Sequence, residues 1–168
     1  MSTNTASIPQ PLAPWLHIVI ATAESPDKCA LALTRIWPDL VPGVCLTVLS
    51  AQAQDAHSDD MCRRFPGLRI HHHEGESVWH LRQRINELVV GSTWLVLLED
   101  HNLPHPGWLP GLLAEVRAAD PGVDAVFGAT SNQTSTGPWD WANYLAVQVF
   151  HWAPLTSSGV YPLPFNSA

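Results

Sequence analysis

Apolar and polar positions along the chain alternate between two periods. Trp15 to Thr22 reads Trp-Leu-His-Ile-Val-Ile-Ala-Thr, a β-branched run of strand length. It passes through Ala23 and Glu24 into Ser25-Pro26-Asp27. There an N-cap hydroxyl, a proline suited to the first helical position and an acid that complements the helix dipole open a helix. Ala30, Leu33, Ile36 and Trp37 share one face of it, and Pro38 ends it. After the Pro42-Gly43 turn, Val44 to Leu49 is a second strand with the tip Ser50-Ala51-Gln52. The polar stretch Gln52 to Arg64 forms a short helix or a loop, with Asp59 and Asp60 solvated. Leu68 to His72 is the third strand. Ser77 then caps a helix with the apolar stripe Val78, Leu81, Ile85 and Leu88, and Arg82 and Asn86 lie one turn apart on a flanking face.

The densest apolar run is Trp94 to Leu98, which has the length and composition of a strand buried on both faces. It stops at Glu99, Asp100 and His101. Pro104 and Pro106 each lack an N–H and cannot extend the strand, and Gly107-Trp108-Leu109 opens an amphipathic helix expected to run from Leu109 to Ala119. Ligands of open α/β sheets bind at the carboxyl ends of strands, so the Glu99-Asp100-His101 tip is the first candidate site. Plain solvation of a strand end is the competing reading. Beyond the Asp120-Pro121-Gly122 turn, Val123 to Ala129 reads as a fifth strand, Thr130 to Pro138 as a polar loop, Trp139 to Leu145 as the start of a helix and Val160 to Pro164 as a short last strand.

Strand and helix signals in alternation predict an α/β fold: a three-layer α/β/α sandwich around a mostly parallel central sheet. A chain of 168 residues suits one domain, expected over residues 15–168, preceded by a Pro-, Ser- and Thr-rich tail at residues 1–14. Net charge is −7 with only eight Lys and Arg. That balance argues against a nucleic-acid backbone or an anionic membrane surface as partner. No apolar run approaches the ~20 residues of a membrane span. Cys29, Cys45 and Cys62 are odd in number and widely spaced, which suits free thiols better than a disulfide framework. With no signal-peptide pattern at the amino terminus, the expected address is the cytoplasm, with a peripheral position at the inner face of the membrane as a variant. The residues leave oligomeric state open.

Three adjacent histidines, His71 to His73, invite a zinc reading. Successive strand side chains point to opposite faces, however, so His71 and His73 would share a metal only with ligands from elsewhere. Solvated or hydrogen-bonded imidazoles are the expectation.

The run Trp94 to Leu109, a strand ending in acidic residues followed by Pro-His-Pro-Gly-Trp-Leu, resembles the Asp-x-Asp region of family 2 glycosyltransferases. Glu99 and His101 stand where that family usually has two Asp. The succession from Gly75-Glu76-Ser77 to Asn86 resembles the family's segment with an Arg-Asn pair near the nucleotide. The resemblance covers roughly residues 15 to 168 and implies the A-type glycosyltransferase fold, nucleotide-diphospho-sugar transferase-like. It implies a hexosyltransferase-type activity on a nucleotide-sugar donor and an unknown acceptor. Thr22, Ala23, Glu24, Ser50, Arg82, Glu99 and Asp100 would face the donor, with Arg82 on the diphosphate and Glu99 on the ribose or a metal. Asp100 and His101 would hold a divalent ion, Mn²⁺ or Mg²⁺, and an imidazole suits Mn²⁺ better. The family's base-pairing Asp is replaced at the second strand tip by Ser50-Ala51-Gln52. Its general base would lie beyond Ala168, so the chain is expected to end after the nucleotide-binding half, and no catalytic residue is assigned.

On the acceptor side, Trp139-Asp140-Trp141 combines two rings that can stack on a sugar with a carboxylate that accepts its hydroxyls, and Asn132 lies in the loop before it. Core packing is the competing role for the two Trp. A second functional reading is a non-catalytic binding or regulatory module derived from the same fold, with Trp139, Trp141 and Trp152 at a protein interface.

Overall fold

The computed structural model describes residues 15–24, 27–88, 92, 94–123, 126, 128, 137–139 and 141–142. Strands and helices alternate as β1 (Leu16–Thr22), α1 (Asp27–Ile36), β2 (Val44–Ser50), α2 (Ala56–Arg64), β3 (Arg69–His72), α3 (Val78–Leu88), β4 (Trp94–Glu99) and α4 (Trp108–Ala118). The chain divides into two compact units, Met1–Gly111 and Leu112–Ala168.

In the first unit the strands form one parallel sheet in the order β3-β2-β1-β4. Central β1 is buried along its whole length. Right-handed crossovers place α1 and α2 on one face of such a sheet and α3 on the other, because the chain reverses direction across the sheet after β3. On the α3 face, Leu81 and Ile85 pack against Val19, Ala21, Leu49 and Ala51, with Val78 and Leu88 at the margin. This is the stripe expected from the sequence, and Ser77 caps the helix as expected: its Oγ accepts from His80 N at 3.3 Å.

Local chemistry explains the connections. Asp55, an N-cap the sequence reading passed over, accepts from Ser58 N at 2.9 Å and settles the stretch after β2 as a helix from Ala56. Gly43 has φ +84°, a left-handed turn in which its carbonyl accepts from Trp15 N at 3.0 Å. A side chain there would collide with the Trp15 ring, since a Cβ would lie 2.5 Å from Cδ1.

Two expectations are corrected. The buried stripe of α1 is Cys29, Ala32, Leu33 and Ile36, with Ala30 and Trp37 only half-buried. The α-helix does end at Ile36, ahead of Pro38 as expected, and a 3-10 turn, Trp37–Asp39, follows with the proline in its first turn, where a missing N–H costs nothing. Trp37 instead packs on Phe65, ring centroids 5.3 Å apart. Finally, β4 is not buried on both faces. Leu95 and Leu97, two residues apart and so on one face of the sheet, are each 43% exposed.

In the second unit, Leu113 and Val116 are buried positions of α4, and Val123 N closes the Asp120-Pro121-Gly122 turn on Asp120 O at 2.9 Å. Residues 138–139 and 141–142 are helical, as expected for the Trp139 segment. The expected tail at 1–14, Ser25-Pro26, most of the fifth strand at 123–129, most of the loop at 130–138 and the last strand at 160–164 lie outside the described residues. No helix among the described residues is long and apolar enough to cross a membrane.

Candidate functional site

The strand order creates a switch point. From β1 the chain moves outward through β2 to β3, then returns across the sheet to β4 on the other side of β1. The strand order thus reverses between β1 and β4, and in open α/β sheets ligands generally bind in the crevice outside the strand carboxyl ends at such a point. Registers Ala21↔Glu99 and Thr22↔Ser50 bring the three strand tips level.

Across this crevice Thr22 Oγ1 donates to Asp100 Oδ2 at 2.6 Å. Thr22 is fully buried, and its hydroxyl also accepts from Glu24 N at 3.2 Å. The other Asp100 oxygen, Oδ1, lies 3.3 Å from His101 Nδ1. His101 Nε2 lies 3.0 Å from Glu99 Oε2, and the remaining Glu99 oxygen is ion-paired with Arg82. All four carboxylate oxygens thus have a partner within the chain. A neutral imidazole carries one N–H, so His101 serves both carboxylates as donor only when protonated. Behind Asp100, burial pushes the Cys29 thiol up to about 12, with the Asp100 charge adding to the effect.

The β2 tip is also occupied. Ser50 is buried and its Oγ accepts from Gln52 N at 3.1 Å. Gln52 Nε2 in turn donates to Ala23 O at 3.0 Å, and Gln52 O lies 2.9 Å from His72 Nδ1. Gln52 and His72 therefore tie the tips of β1, β2 and β3 together, a role that required knowing which strands are neighbours.

From the α3 side comes Arg82, whose guanidinium stacks on the Trp79 ring with Cζ 4.8 Å from the centroid. Its Nε–H is buried without a hydrogen-bond partner. The start of α3 is held by Arg84 Nη2 donating to Glu76 Oε1 at 2.7 Å, which keeps the Glu76 carboxyl below the usual carboxylate range. Trp79 was missed from sequence because it lies off the apolar stripe. The signal was available: Trp79 and Arg82 are three residues apart and so share a helix face.

Of the residues expected around a donor, the structure gathers Thr22, Arg82, Glu99, Asp100 and His101 into one connected set. Ala23 and Glu24 are exposed at its rim, and Ser50 is withdrawn into the core. Trp139 and Trp141 are in the second unit, exposed rather than packed in a core; Asn132 and Asp140 lie outside the described residues. Among the described residues no three His, Cys, Asp or Glu side chains form a group arranged to hold a metal. Glu99, Asp100 and His101 have the donor chemistry for a divalent ion, but a cation would enter only in exchange for contacts they now make with one another and with Arg82.

Comparison with family models, with curated proteins and with solved structures finds no match to this chain.

Proposed function

We propose that the chain is a glycosyltransferase-like domain of the A type that binds a nucleotide-sugar donor at the β1/β4 switch point, for transfer of the sugar to an acceptor. One observation carries the reading: buried Thr22 braces Asp100 beside Glu99, Arg82 and His101 at the carboxyl ends of β1 and β4, where the strand order reverses. Two carboxylates, a guanidinium and an imidazole meet there, groups suited to a divalent ion and a diphosphate.

Asp100 and His101, with Glu99, are the residues that would hold the divalent ion, Mn²⁺ more readily than Mg²⁺ because one ligand is an imidazole. Such an ion supplies Lewis-acid neutralisation of the diphosphate leaving group. With Glu99 engaged by the ion or the ribose, Arg82 would be the charge that meets the diphosphate. Thr22 holds Asp100 in place throughout.

Titration calorimetry of the purified chain with UDP- and GDP-sugars, with and without Mn²⁺, tests this. Metal-dependent binding of at least one donor is expected; no binding under either condition ends the proposal. A second reading, a non-catalytic binding module, has a specific observation in its favour: the carboxylate oxygens are already partnered within the chain. A folded chain that binds no donor with or without Mn²⁺ would favour that module.

A further inference from the structure

Trp79 is a large aromatic side chain, 68% exposed, in the first turn of α3. A solitary exposed tryptophan needs no explanation. This one is the end of a connected series, because the Arg82 guanidinium lies over its ring, 4.8 Å from the centroid, and the same guanidinium pairs with Glu99 at the switch point. The stack fixes the ring beside the mouth of the crevice. Arg82 also keeps a buried Nε–H with no partner, so the pair as found leaves one donor unused.

At the β2 tip, level with Thr22 at the end of β1, the polar groups of Ser50 and Gln52 are already engaged within the chain. Ser50 Oγ accepts from Gln52 N, the Gln52 side-chain amide donates to Ala23 O, and Gln52 O faces His72. The β2 tip carries no carboxylate. A planar ligand held beside Arg82 and Glu99 therefore has an exposed aromatic face within reach, while the β2 tip offers an internally satisfied hydrogen-bond network. Stacking is tolerant of base identity, since every base has a π face.

We infer that Trp79, backed by Arg82, is the shelf on which the base of a nucleoside diphosphate stacks, and that the base is accepted by its flat face with little discrimination between purine and pyrimidine. The inference rests on the nucleotide reading of the Glu99-Asp100 crevice and adds to it a base subsite with a stated selectivity.

The test is calorimetric affinity of the full chain for UDP, GDP, ADP and inorganic pyrophosphate with Mn²⁺, in wild type, Trp79→Ala and Trp79→Phe. Because Trp79 is exposed, both variants are expected to fold, which far-UV circular dichroism checks. Wild type should bind the three nucleotides within about tenfold of one another. Trp79→Ala should weaken all three by roughly tenfold or more, as loss of one base stack does, and leave pyrophosphate binding unchanged; Trp79→Phe should recover most of the loss. Nucleotide affinity that survives Trp79→Ala overturns the shelf and leaves the nucleotide site standing. Equal loss for pyrophosphate also overturns it, since Trp79 would then act only by positioning Arg82. A preference of a hundredfold or more for one base in wild type overturns the tolerance. A wild-type chain that binds pyrophosphate and nucleotides not at all removes the nucleotide reading and the shelf with it.

Discussion

The Thr22 hydroxyl reaches Asp100 Oδ2 at 2.6 Å, joining the ends of two neighbouring strands whose residues are 78 positions apart in the chain. Thr22 is fully buried, so its hydroxyl has no water to fall back on. The bond orients Asp100 while leaving Oδ1 toward His101.

Replacing Thr22 by Val keeps the shape of the side chain and removes the donor to Asp100 and the acceptor for Glu24 N. Stability should fall by about 1–3 kcal/mol, the usual result of leaving such groups unpaired, and Thr22→Ser should keep the hydrogen bonds and lose less. Urea denaturation of the three proteins measures the ranking. A Val variant as stable as wild type would mean that the bond does not brace Asp100.

Glu99→Gln removes the carboxylate that now neutralises Arg82. Both partners are part-exposed, at 22% for Arg82 and 36% for Glu99, so the cost in stability should be only about 1 kcal/mol. Binding should respond in opposite directions. Without divalent ions, the freed guanidinium should bind pyrophosphate more tightly than in wild type; with Mn²⁺, Glu99→Gln should bind nucleotide-sugars more weakly. Calorimetry in the two buffers decides, and a change of the same sign in both refutes the exchange of Arg82 between Glu99 and phosphate.

His17 is buried in β1, with Nε2 2.8 Å from Thr47 Oγ1 and Nδ1 without a partner. Burial, and then the positive charges of Arg69 and His71, hold its pKa below the ordinary histidine value; His71 is lowered in the same way by burial, His73, Arg69 and His72. The unfolded chain therefore binds more protons than the folded one below the ordinary value of about 6.5. The stability these imidazoles contribute is complete above that pH and is lost as pH falls through it toward the lower folded values. Denaturant midpoints between pH 8 and pH 5 should show the decline, with a shallower slope in His17→Gln. An unchanged slope in the variant would remove His17 from the account.

Cys29 is buried with its thiol pushed up to about 12, whereas Cys62 is exposed. Thiolate is the reactive species, so a disulfide reagent at pH 8 should modify Cys62 readily and Cys29 only after unfolding. Peptide mapping of the native and urea-unfolded protein distinguishes the two thiols, and native-state labelling of Cys29 would show that the α1 face opens.

Hydrophobic period and punctuation were enough to determine that β1, β2, β3, α3, β4 and α4 exist, close to the bounds found. They also placed the acidic tip Glu99-Asp100-His101 at a strand end, because burial of a helical stripe or a strand face is written in neighbouring residues. Individual side-chain roles were less legible. Ser50 has the composition of a site residue, yet the Gln52 turn draws it into the core, and Trp79 stands outside the stripe that defines its helix. The tertiary structure alone decided that β4 returns beside β1, that Thr22 meets Asp100 and that Arg82 meets Glu99. Each of these depends on which strands become neighbours, and that choice is made by how crossovers pack on a sheet rather than by the pattern within any one segment.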